Sequence, residues 1–177
     1  VVTDPGPPDR GANFASGGRD SSPTSISQDI DLTPDAALIA SGVASFTLSG
    51  YLGGYLSQND FASLGVSFLA PDSSVLGGAS VHGPLAGERQ NQTGLLPKSV
   101  GATVPQLART ARIPITFTRA AGTYNDGYAD SLSFVLAAPA TCPGDFNHDG
   151  EVNTADLVSF LGRFGHPAPP GTEQDMN

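Results

Sequence analysis

The 177-residue sequence predicts an all-β domain, a jelly-roll-like β-sandwich, followed by a small C-terminal segment with one helix. Three observations support this fold class. Short runs of alternating apolar and polar residues recur along the chain, as expected of half-buried strands. The 22 glycines and 15 prolines provide turns between these runs. No convincing helical pattern occurs before residue 154. A β-sandwich is the architecture that buries such strands.

Six strands are predicted from the alternation, and they span residues 26–32, 43–49, 64–69, 75–81, 112–118 and 131–136. Residues 1–24 are predicted to be loop, because prolines and glycines interrupt them throughout. Turn-rich joints are predicted at 50–60, 83–94 and 121–130. Pro114 indicates an edge strand or a bulge, because proline lacks the N–H that a ladder needs. The predicted core residues are Phe46, Leu48, Val66, Phe68, Ile115, Phe117, Leu132 and Phe134.

The charge of the chain limits its partners. The formal net charge is −9, and Lys98 is the single lysine. This balance argues against binding to nucleic acid or to an anionic membrane surface. No apolar run approaches the roughly 20 residues of a membrane span. We therefore expect an extracellular or cell-surface protein. The lone Cys142 either pairs with a cysteine elsewhere or is a free thiol.

The most specific motif of the chain occupies residues 145–156. Oxygen-bearing side chains fall at positions 1, 3, 5, 9 and 12 of a twelve-residue loop, with Gly150 at position 6: Asp145, Asn147, Asp149, Asn153 and Asp156. This spacing is typical of an EF-hand calcium loop, since a hard cation takes six to eight oxygen ligands. Glu151, at position 7, is expected to contribute its backbone carbonyl. The alternative is a polar Asp/Asn turn without metal.

A helix is predicted over residues 154–164, directly after the loop. Its apolar face comprises Leu157, Phe160, Leu161 and Phe164. Gly165 and Pro167 end it. The residues before the loop, Cys142-Pro143-Gly144, cannot end an entering helix. A calcium loop with only an exiting helix, and with Asp at position 12, resembles a dockerin repeat over residues 144–165.

The dockerin resemblance has two further implications. Dockerins carry two repeats, and Asp175-Met176-Asn177 matches the start of the loop 30 residues earlier, so residues 166–177 are predicted to be a linker and the start of a second repeat. The resemblance also implies partner recognition at Thr154 and Ala155, where a hydroxyl residue is usual at both positions. Ala155 departs from that pattern, so self-association or an intramolecular contact of the helix face is favoured over docking to a standard partner.

The N-terminal segment carries a second resemblance. Residues 48–55, 83–89 and 124–133 are similar to stretches of the galactose-binding-like β-sandwich domains of bacterial extracellular proteins. We therefore divide the chain into a sandwich at 1–138, a linker at 139–144, the calcium repeat at 145–165 and the segment 166–177. The N-terminus of the sandwich is expected to be incomplete, or its first strand to come from a neighbouring chain.

A glycan site on the sandwich is the corresponding functional prediction. Sugar recognition needs aromatic faces and planar polar groups. The candidate residues are Tyr51, Tyr55, Arg89, Tyr124, Asn125, Asp126 and Tyr128. The alternative is that these tyrosines only cover sheet edges. Asp130 is predicted either to bind a second, structural calcium ion or to cap a turn.

Enzymatic chemistry is not predicted. The three histidines, His82, His148 and His166, have no evident nucleophile beside them in the sequence, and no G-x-S-x-G motif occurs. We expect a non-catalytic extracellular module that binds calcium and a glycan or surface polymer. It would attach through the dockerin-like segment. The alternative is a structural subunit of a surface array or filament, assembled through the C-terminal segment or an exchanged strand.

Overall fold

The computed structural model describes residues 6–7, 10–19, 23–139, 144–147 and 151–163. The chain divides into two compact units, Val1–Ala138 and Pro139–Asn177. Within the described residues, no helix is long and apolar enough to cross a membrane.

The described part of the N-terminal unit contains eight strands, one 3-10 turn and one short helix. The strands are β1 (Ala15–Arg19), β2 (Thr24–Asp31), β3 (Ser45–Gly54), β4 (Phe61–Leu69), β5 (Val75–His82), β6 (Gly94–Thr103), β7 (Thr110–Thr118) and β8 (Tyr124–Ala137). A 3-10 turn at Thr33–Asp35 leads into the five-residue helix α1 (Ala36–Ala40) between β2 and β3. The C-terminal unit contains helix α2 (Thr154–Arg163), which begins where the sequence predicts it.

The eight strands form two antiparallel four-stranded sheets. One sheet has the order β1-β8-β3-β6 and the other has the order β2-β7-β4-β5. Only the connection from β4 to β5 stays within one sheet, and every other connection crosses to the opposite sheet. This strand order is that of a jelly roll. It confirms the predicted fold class.

The core lies between the sheets, where alternate residues of β3, β4 and β7 point inward. Phe46 packs edge-on against Phe68, with ring centroids 5.1 Å apart, and stacks on Phe134 at 5.9 Å. Six of the eight predicted core residues are buried, and Phe134 packs against them. Leu132 is the exception at 40% exposed. The backbone bulges at Ser131, and β1 pairs with β8 only as far as Ala129, so no strand shields Leu132.

The strand predictions are wrong at three places, and one strand was not predicted. Residues 15–19 form β1 although the sequence predicted loop, because glycine permits the strand to lie directly on the neighbouring strand: a Cβ on Gly17 would meet the Asn125 side chain at 2.2 Å. Strand β8 begins at Tyr124, within a predicted joint. Pro114 lies on the internal strand β7 without a register shift, so it marks neither an edge strand nor a bulge; pairing with β4 is interrupted between Leu64 and Ser67. Strand β6 was not predicted, because Leu95 is its one buried residue and no repeated apolar face marks it.

Candidate functional site

The outer face of the β1-β8-β3-β6 sheet carries the candidate site. Along the first half of β8, Asn125, Gly127 and Ala129 are buried. The alternate residues therefore point outward, and these are Tyr124, Asp126, Tyr128 and Asp130. Strand β3 lies beside them, with Gly53 opposite Tyr128 and Tyr51 opposite Asp130.

A cleft of about 400 Å³ opens on this face. It is lined by Tyr55, Gln58, Gly122, Thr123, Tyr124, Asp126 and Tyr128. Two of its aromatic rings are accessible, because Tyr55 is 42% exposed and Tyr124 is 47% exposed. The guanidinium of Arg19 lies 4.9 Å from the centroid of the Tyr124 ring, which holds that ring at the rim by a cation–π contact.

Tyr128 forms the polar floor of the cleft. Its hydroxyl donates a hydrogen bond of 3.1 Å to the Asp126 carboxylate, and its ring packs edge-on against Phe14 at 4.9 Å. Burial, reinforced by the negative charge of Asp126, raises the pKa of Tyr128 well above its ordinary value. The phenol therefore stays protonated and fixes the orientation of the Asp126 carboxylate.

Arg89 supports the loop that follows β3, which forms one wall of the cleft. Its side chain is 5% exposed, and its guanidinium donates hydrogen bonds to four backbone carbonyls. The acceptors are Gly54 at 2.8 Å, Leu56 at 3.1 Å, Gln58 at 2.7 Å and Gln92 at 2.6 Å. These bonds fix the backbone on both sides of Tyr55 and at Gln58.

Asp60 holds the opposite wall. Its side chain is fully buried and accepts three backbone N–H groups, from Ala120 at 2.7 Å, Ala121 at 3.1 Å and Asp126 at 2.9 Å. Asp60 also interacts electrostatically with the Arg89 guanidinium. A buried carboxylate is stable when such donors and a cation compensate its charge. Through these backbone hydrogen bonds, Arg89 and Asp60 anchor the two loops that line the cleft.

The structure brings four of the seven predicted glycan-site residues into one cleft: Tyr55, Tyr124, Asp126 and Tyr128. Arg89 and Asn125 instead lie beneath the surface, at 5% and 1% exposed. Their burial contradicts direct contact with a ligand. Asn125 donates to the Phe117 carbonyl at 3.0 Å and so serves the packing of the sheets. Tyr51 lines a neighbouring cleft on the same sheet.

Two residues of the site were not predicted from the sequence. Gln58 lines the cleft and Asp60 supports it. Asp60 could have been found from its position directly before the alternating strand β4, which contains no charged residue. A carboxylate that is buried at such a position needs several hydrogen-bond donors. Asp130 accepts the N–H of Ser131 at 2.7 Å and thereby supports the bulged backbone. Calcium binding there stays a prediction.

The C-terminal unit places the first and last side chains of the predicted calcium loop together. Asp145 is 5% exposed and Asp156 is 2% exposed, and the two carboxylates are in contact. The Asp156 carboxylate accepts the N–H of Asn153 at 2.7 Å and the N–H of Asn147 at 3.2 Å. These bonds lower the pKa of Asp156, the one from Asn153 most, so the carboxylate is ionised.

The remaining predicted ligands are less well placed or not described. The side chains of Asn147, Glu151 and Asn153 are exposed, and Asp149 lies outside the described residues. Within the described part of the chain, no three His, Cys, Asp or Glu side chains converge as a metal site. An exposed Glu151 is compatible with the prediction, because that residue was expected to contribute only its backbone carbonyl. The described donor set, two adjacent buried carboxylates, fits a hard cation.

Helix α2 leaves most of its predicted partner surface in solvent. Thr154 and Ala155 are exposed, as are Leu157 at 55% and Leu161 at 57%. Val158, which was not predicted, is 69% exposed. Phe160 is half-buried against Phe146, with ring centroids 4.9 Å apart. Phe164 and Cys142 lie outside the described residues. Recognition of a partner by this surface stays a prediction.

His82 is the only described histidine, since His148 and His166 lie outside the described residues. Its ring packs on Phe61 with centroids 3.8 Å apart, and its Nδ1 lies 2.5 Å from the Gly83 carbonyl oxygen. The donor and acceptor roles there depend on the tautomer. Phe61 and Gly83 therefore account for the environment of this ring.

No protein-family model matches this chain, and no curated protein matches it. Solved structures share a distant likeness. The enzymatically active domain of bacteriophage CBA120 tailspike protein 4 is 14% identical with a TM-score of 0.49, over 69% of this chain and 15% of that chain. The Family 16 Carbohydrate Binding Module-2 is 14% identical with a TM-score of 0.45, over 67% of this chain and 75% of that chain. TmCBM61, in complex with beta-1,4-galactotriose, is 10% identical with a TM-score of 0.40, over 73% of each chain. The strand order of the two sheets, rather than these likenesses, defines the fold as a jelly roll.

Proposed function

We propose that the sandwich is a non-catalytic glycan-binding module and that the tyrosine cleft is its binding site. The observation that carries the proposal is the pairing of two accessible aromatic rings, Tyr55 and Tyr124, with the hydrogen-bonded pair of Asp126 and Tyr128 in one cleft. Both tyrosines are more than 40% exposed beside this polar pair, which leaves them accessible to a ligand.

The chemistry of the cleft suits an uncharged sugar. The ring faces of Tyr55 and Tyr124 can pack on the C–H face of a pyranose, which is apolar. The carboxylate of Asp126 accepts hydrogen bonds from sugar hydroxyls, and the Gln58 amide both donates and accepts. A carboxylate in the cleft disfavours a sugar that carries a carboxylate or sulfate, because like charges repel. Neutral hexoses or pentoses are therefore the favoured ligands.

A glycan array tests this proposal. Wild-type protein is expected to bind uncharged glycans, and the signal should fall at least tenfold for Tyr124→Ala and for Tyr55→Ala. Replacement of either exposed ring should leave the fold intact, because neither belongs to the buried core. Absence of wild-type binding to every neutral glycan, or equal binding by both variants, would contradict the proposal.

We also propose that the C-terminal unit holds a calcium ion in the loop 145–156 and tethers the sandwich in an extracellular setting. The contact between the buried carboxylates of Asp145 and Asp156 supports this. Asp156 accepts the backbone N–H groups of Asn153, Asn147 and Phe146, which hold its carboxylate inside the loop where calcium would bind. When bound, calcium would draw the loop carboxylates together without the repulsion that they exert on each other.

Assembly into a surface array is a second candidate function for the C-terminal unit. The exposed apolar residues Leu157, Val158 and Leu161 lie on consecutive turns of α2 and favour contact with another protein surface. Light scattering with and without calcium separates the two functions. A monomer under both conditions supports a simple tether, and calcium-dependent growth in mass supports assembly.

A further inference from the structure

An apolar groove opens at one edge of the sandwich, between the two sheets. It has a volume of about 390 Å³ and shares no lining residue with the tyrosine cleft. The described residues that line it include no charged side chain, and its polar side chains are those of Ser27, Gln28 and Ser133. Strands β2, β7 and β8 supply most of its apolar side chains, which are Ile26, Ile30, Ile113, Ile115, Leu132 and Phe134.

The groove is open because β1 ends before β8 does. Strand β1 pairs with β8 only as far as Ala129, whereas β8 continues to Ala137. The inward-facing residues of β8 reflect this difference, since Ala129 is 1% exposed and Leu132 is 40% exposed. On the edge strand β2 of the other sheet, Ile26 is 51% exposed. Apolar side chains of both sheets are therefore left in solvent where β1 ends.

Residues 131–137 of β8 also present a free backbone edge. Strand β3 pairs with this edge on one side, from Ser133 to Ala137. Within the part of the chain that the structure describes, no strand pairs with it on the other side. The backbone N–H and C=O groups on that side are therefore available to another strand. A lipid chain or an apolar small molecule would fill the groove but would leave these groups unpaired.

The free edge lacks the residues that usually keep strand edges apart. Charged side chains and prolines on an edge strand oppose the addition of a further strand. The edge strand β6 carries Pro97 and Lys98, and the edge strand β2 carries Asp29 and Asp31. Residues 131–137 read Ser-Leu-Ser-Phe-Val-Leu-Ala and contain neither a charge nor a proline. This edge is therefore the one most suited to accept a strand.

We propose that the free edge and the groove bind an extended peptide segment of another protein, which adds a strand to the sheet beside β8. The added strand would continue the row that β1 begins, so it extends a ladder that the fold already contains. Alternate side chains of the peptide would enter the groove and contact Ile26 and Ile30. The seven residues of the free edge span about 20 Å, which sets the length of the peptide.

The charges beside the groove indicate the composition of the peptide. Asp31 directly follows Ile30, and Asp130 directly precedes the free edge. The net charge of the chain is −9. These carboxylates favour basic residues at the ends of the peptide, and the uncharged lining favours apolar residues at alternate positions between them.

Fluorescence anisotropy with labelled synthetic peptides tests the proposal on the 177-residue chain. The probe is a peptide in which three valines alternate with four threonines, with a lysine at each end. A control peptide has the same composition with its valines consecutive. Two further peptides carry the probe sequence with N-methyl groups, on the valine amides in one and on the threonine amides in the other. Successive N–H groups of a strand point to opposite sides, so only one of these two peptides loses the donors that face β8.

The protein variants are Ile26→Asp, which places a charge in the groove, and Val75→Asp as a matched control. Val75 is 70% exposed on β5, the opposite edge strand of the same sheet. Both substitutions replace an exposed apolar side chain of an edge strand and should leave the core intact. Wild type and Val75→Asp should bind the probe equally, and Ile26→Asp should bind it about tenfold more weakly, because an apolar groove disfavours a charge.

The peptide with consecutive valines should bind about tenfold more weakly than the probe, and only one of the two N-methylated peptides should lose affinity. Equal affinity of the two N-methylated peptides, whether high or low, would show contact without a strand and would overturn the proposal. Absence of probe binding to the wild type would also overturn it. Light scattering without peptide provides a last check. Growth in mass with protein concentration that Ile26→Asp abolishes would place a second copy of the chain in the groove and overturn the proposed peptide partner.

Discussion

The backbone N–H of Asp126 donates a hydrogen bond of 2.9 Å to the carboxylate of Asp60, which is fully buried. This bond ties β8, the strand that carries Asp126, to the residue directly before β4. Asp60 also accepts the N–H groups of Ala120 and Ala121. A buried carboxylate that no ligand can reach, that of Asp60, therefore helps to position the exposed residues of the cleft.

Replacement of Asp60 by Asn should destabilise the sandwich and distort the cleft. The amide has one acceptor oxygen in place of two, and its NH2 group would face backbone donors, so buried groups are left unpaired. We expect a loss of about 3 kcal/mol in the free energy of unfolding, measured by urea denaturation. Asp72→Asn is the matched control. Asp72 accepts the N–H and hydroxyl of Ser74 in an exposed turn, so its loss should be about 1 kcal/mol or less. Equal losses would contradict the anchoring role of Asp60.

Replacement of Phe117 by Ala tests the core. Phe117 is 1% exposed and lies between the sheets on β7. Removal of a buried aromatic ring should cost about 3–5 kcal/mol. Val135→Ala on β8 provides the control, because Val135 is 52% exposed and should cost about 0.5 kcal/mol. A small loss for Phe117→Ala in the same denaturation experiment would place the ring outside the core.

The raised pKa of Tyr128 predicts an alkaline limit to stability. The folded protein holds the phenolic proton more tightly than the unfolded chain, in which tyrosine titrates near pH 10. The stability that depends on this proton is therefore full below about pH 10 and is lost as the pH rises through the native pKa. Tyr128→Phe lacks the titrating group, so its unfolding midpoint should fall less steeply than that of wild type between about pH 9 and pH 12. Parallel curves would show that the hydroxyl has no such role.

Calcium should order the C-terminal loop. The adjacent carboxylates of Asp145 and Asp156 are expected to bind the ion, so calorimetric titration of wild type with calcium should give a saturable heat signal. Asp145→Ala should lower the affinity at least tenfold, because it removes a buried ligand. Phe146→Leu is a control that changes the neighbouring ring contact with Phe160 but no ligand. Equal heats from wild type and Asp145→Ala would contradict the assignment.

The sequence predicts the sandwich well where strands are half-buried. Strands β3, β4 and β7 alternate because one face of each meets the core, and their periodicity is visible without a structure. Strand β1 could not be predicted from alternation because Gly17 and Gly18 carry no side chains. Strand β6 could not be predicted because Leu95 is its one buried residue, so no repeated apolar face marks it.

Part of the candidate site could be predicted because its residues are close together in the sequence. Tyr124, Asp126 and Tyr128 share a face because they alternate on one strand, and this pattern is local in sequence. The support from Asp60 is not local, because its carboxylate accepts N–H groups of residues 60 to 66 positions away. The burial of Arg89 also depends on the carbonyls of Gly54, Leu56 and Gln58, which lie more than 30 positions away, so its position beneath the cleft could not be predicted from the residues around it.

Calorimetric titration of the tyrosine cleft tests the central claim most directly. The ligand is the uncharged glycan that binds best on the array, and the proteins are wild type, Tyr55→Ala, Tyr124→Ala and the control Val75→Ala. Val75 is 70% exposed on β5 in the other sheet, away from the cleft. We predict that both tyrosine variants lose about 1.4–2 kcal/mol of binding free energy, equal to a roughly tenfold to thirtyfold weaker affinity, while Val75→Ala binds as wild type does. Equal affinities in all four proteins would contradict the assignment of this cleft as the glycan site.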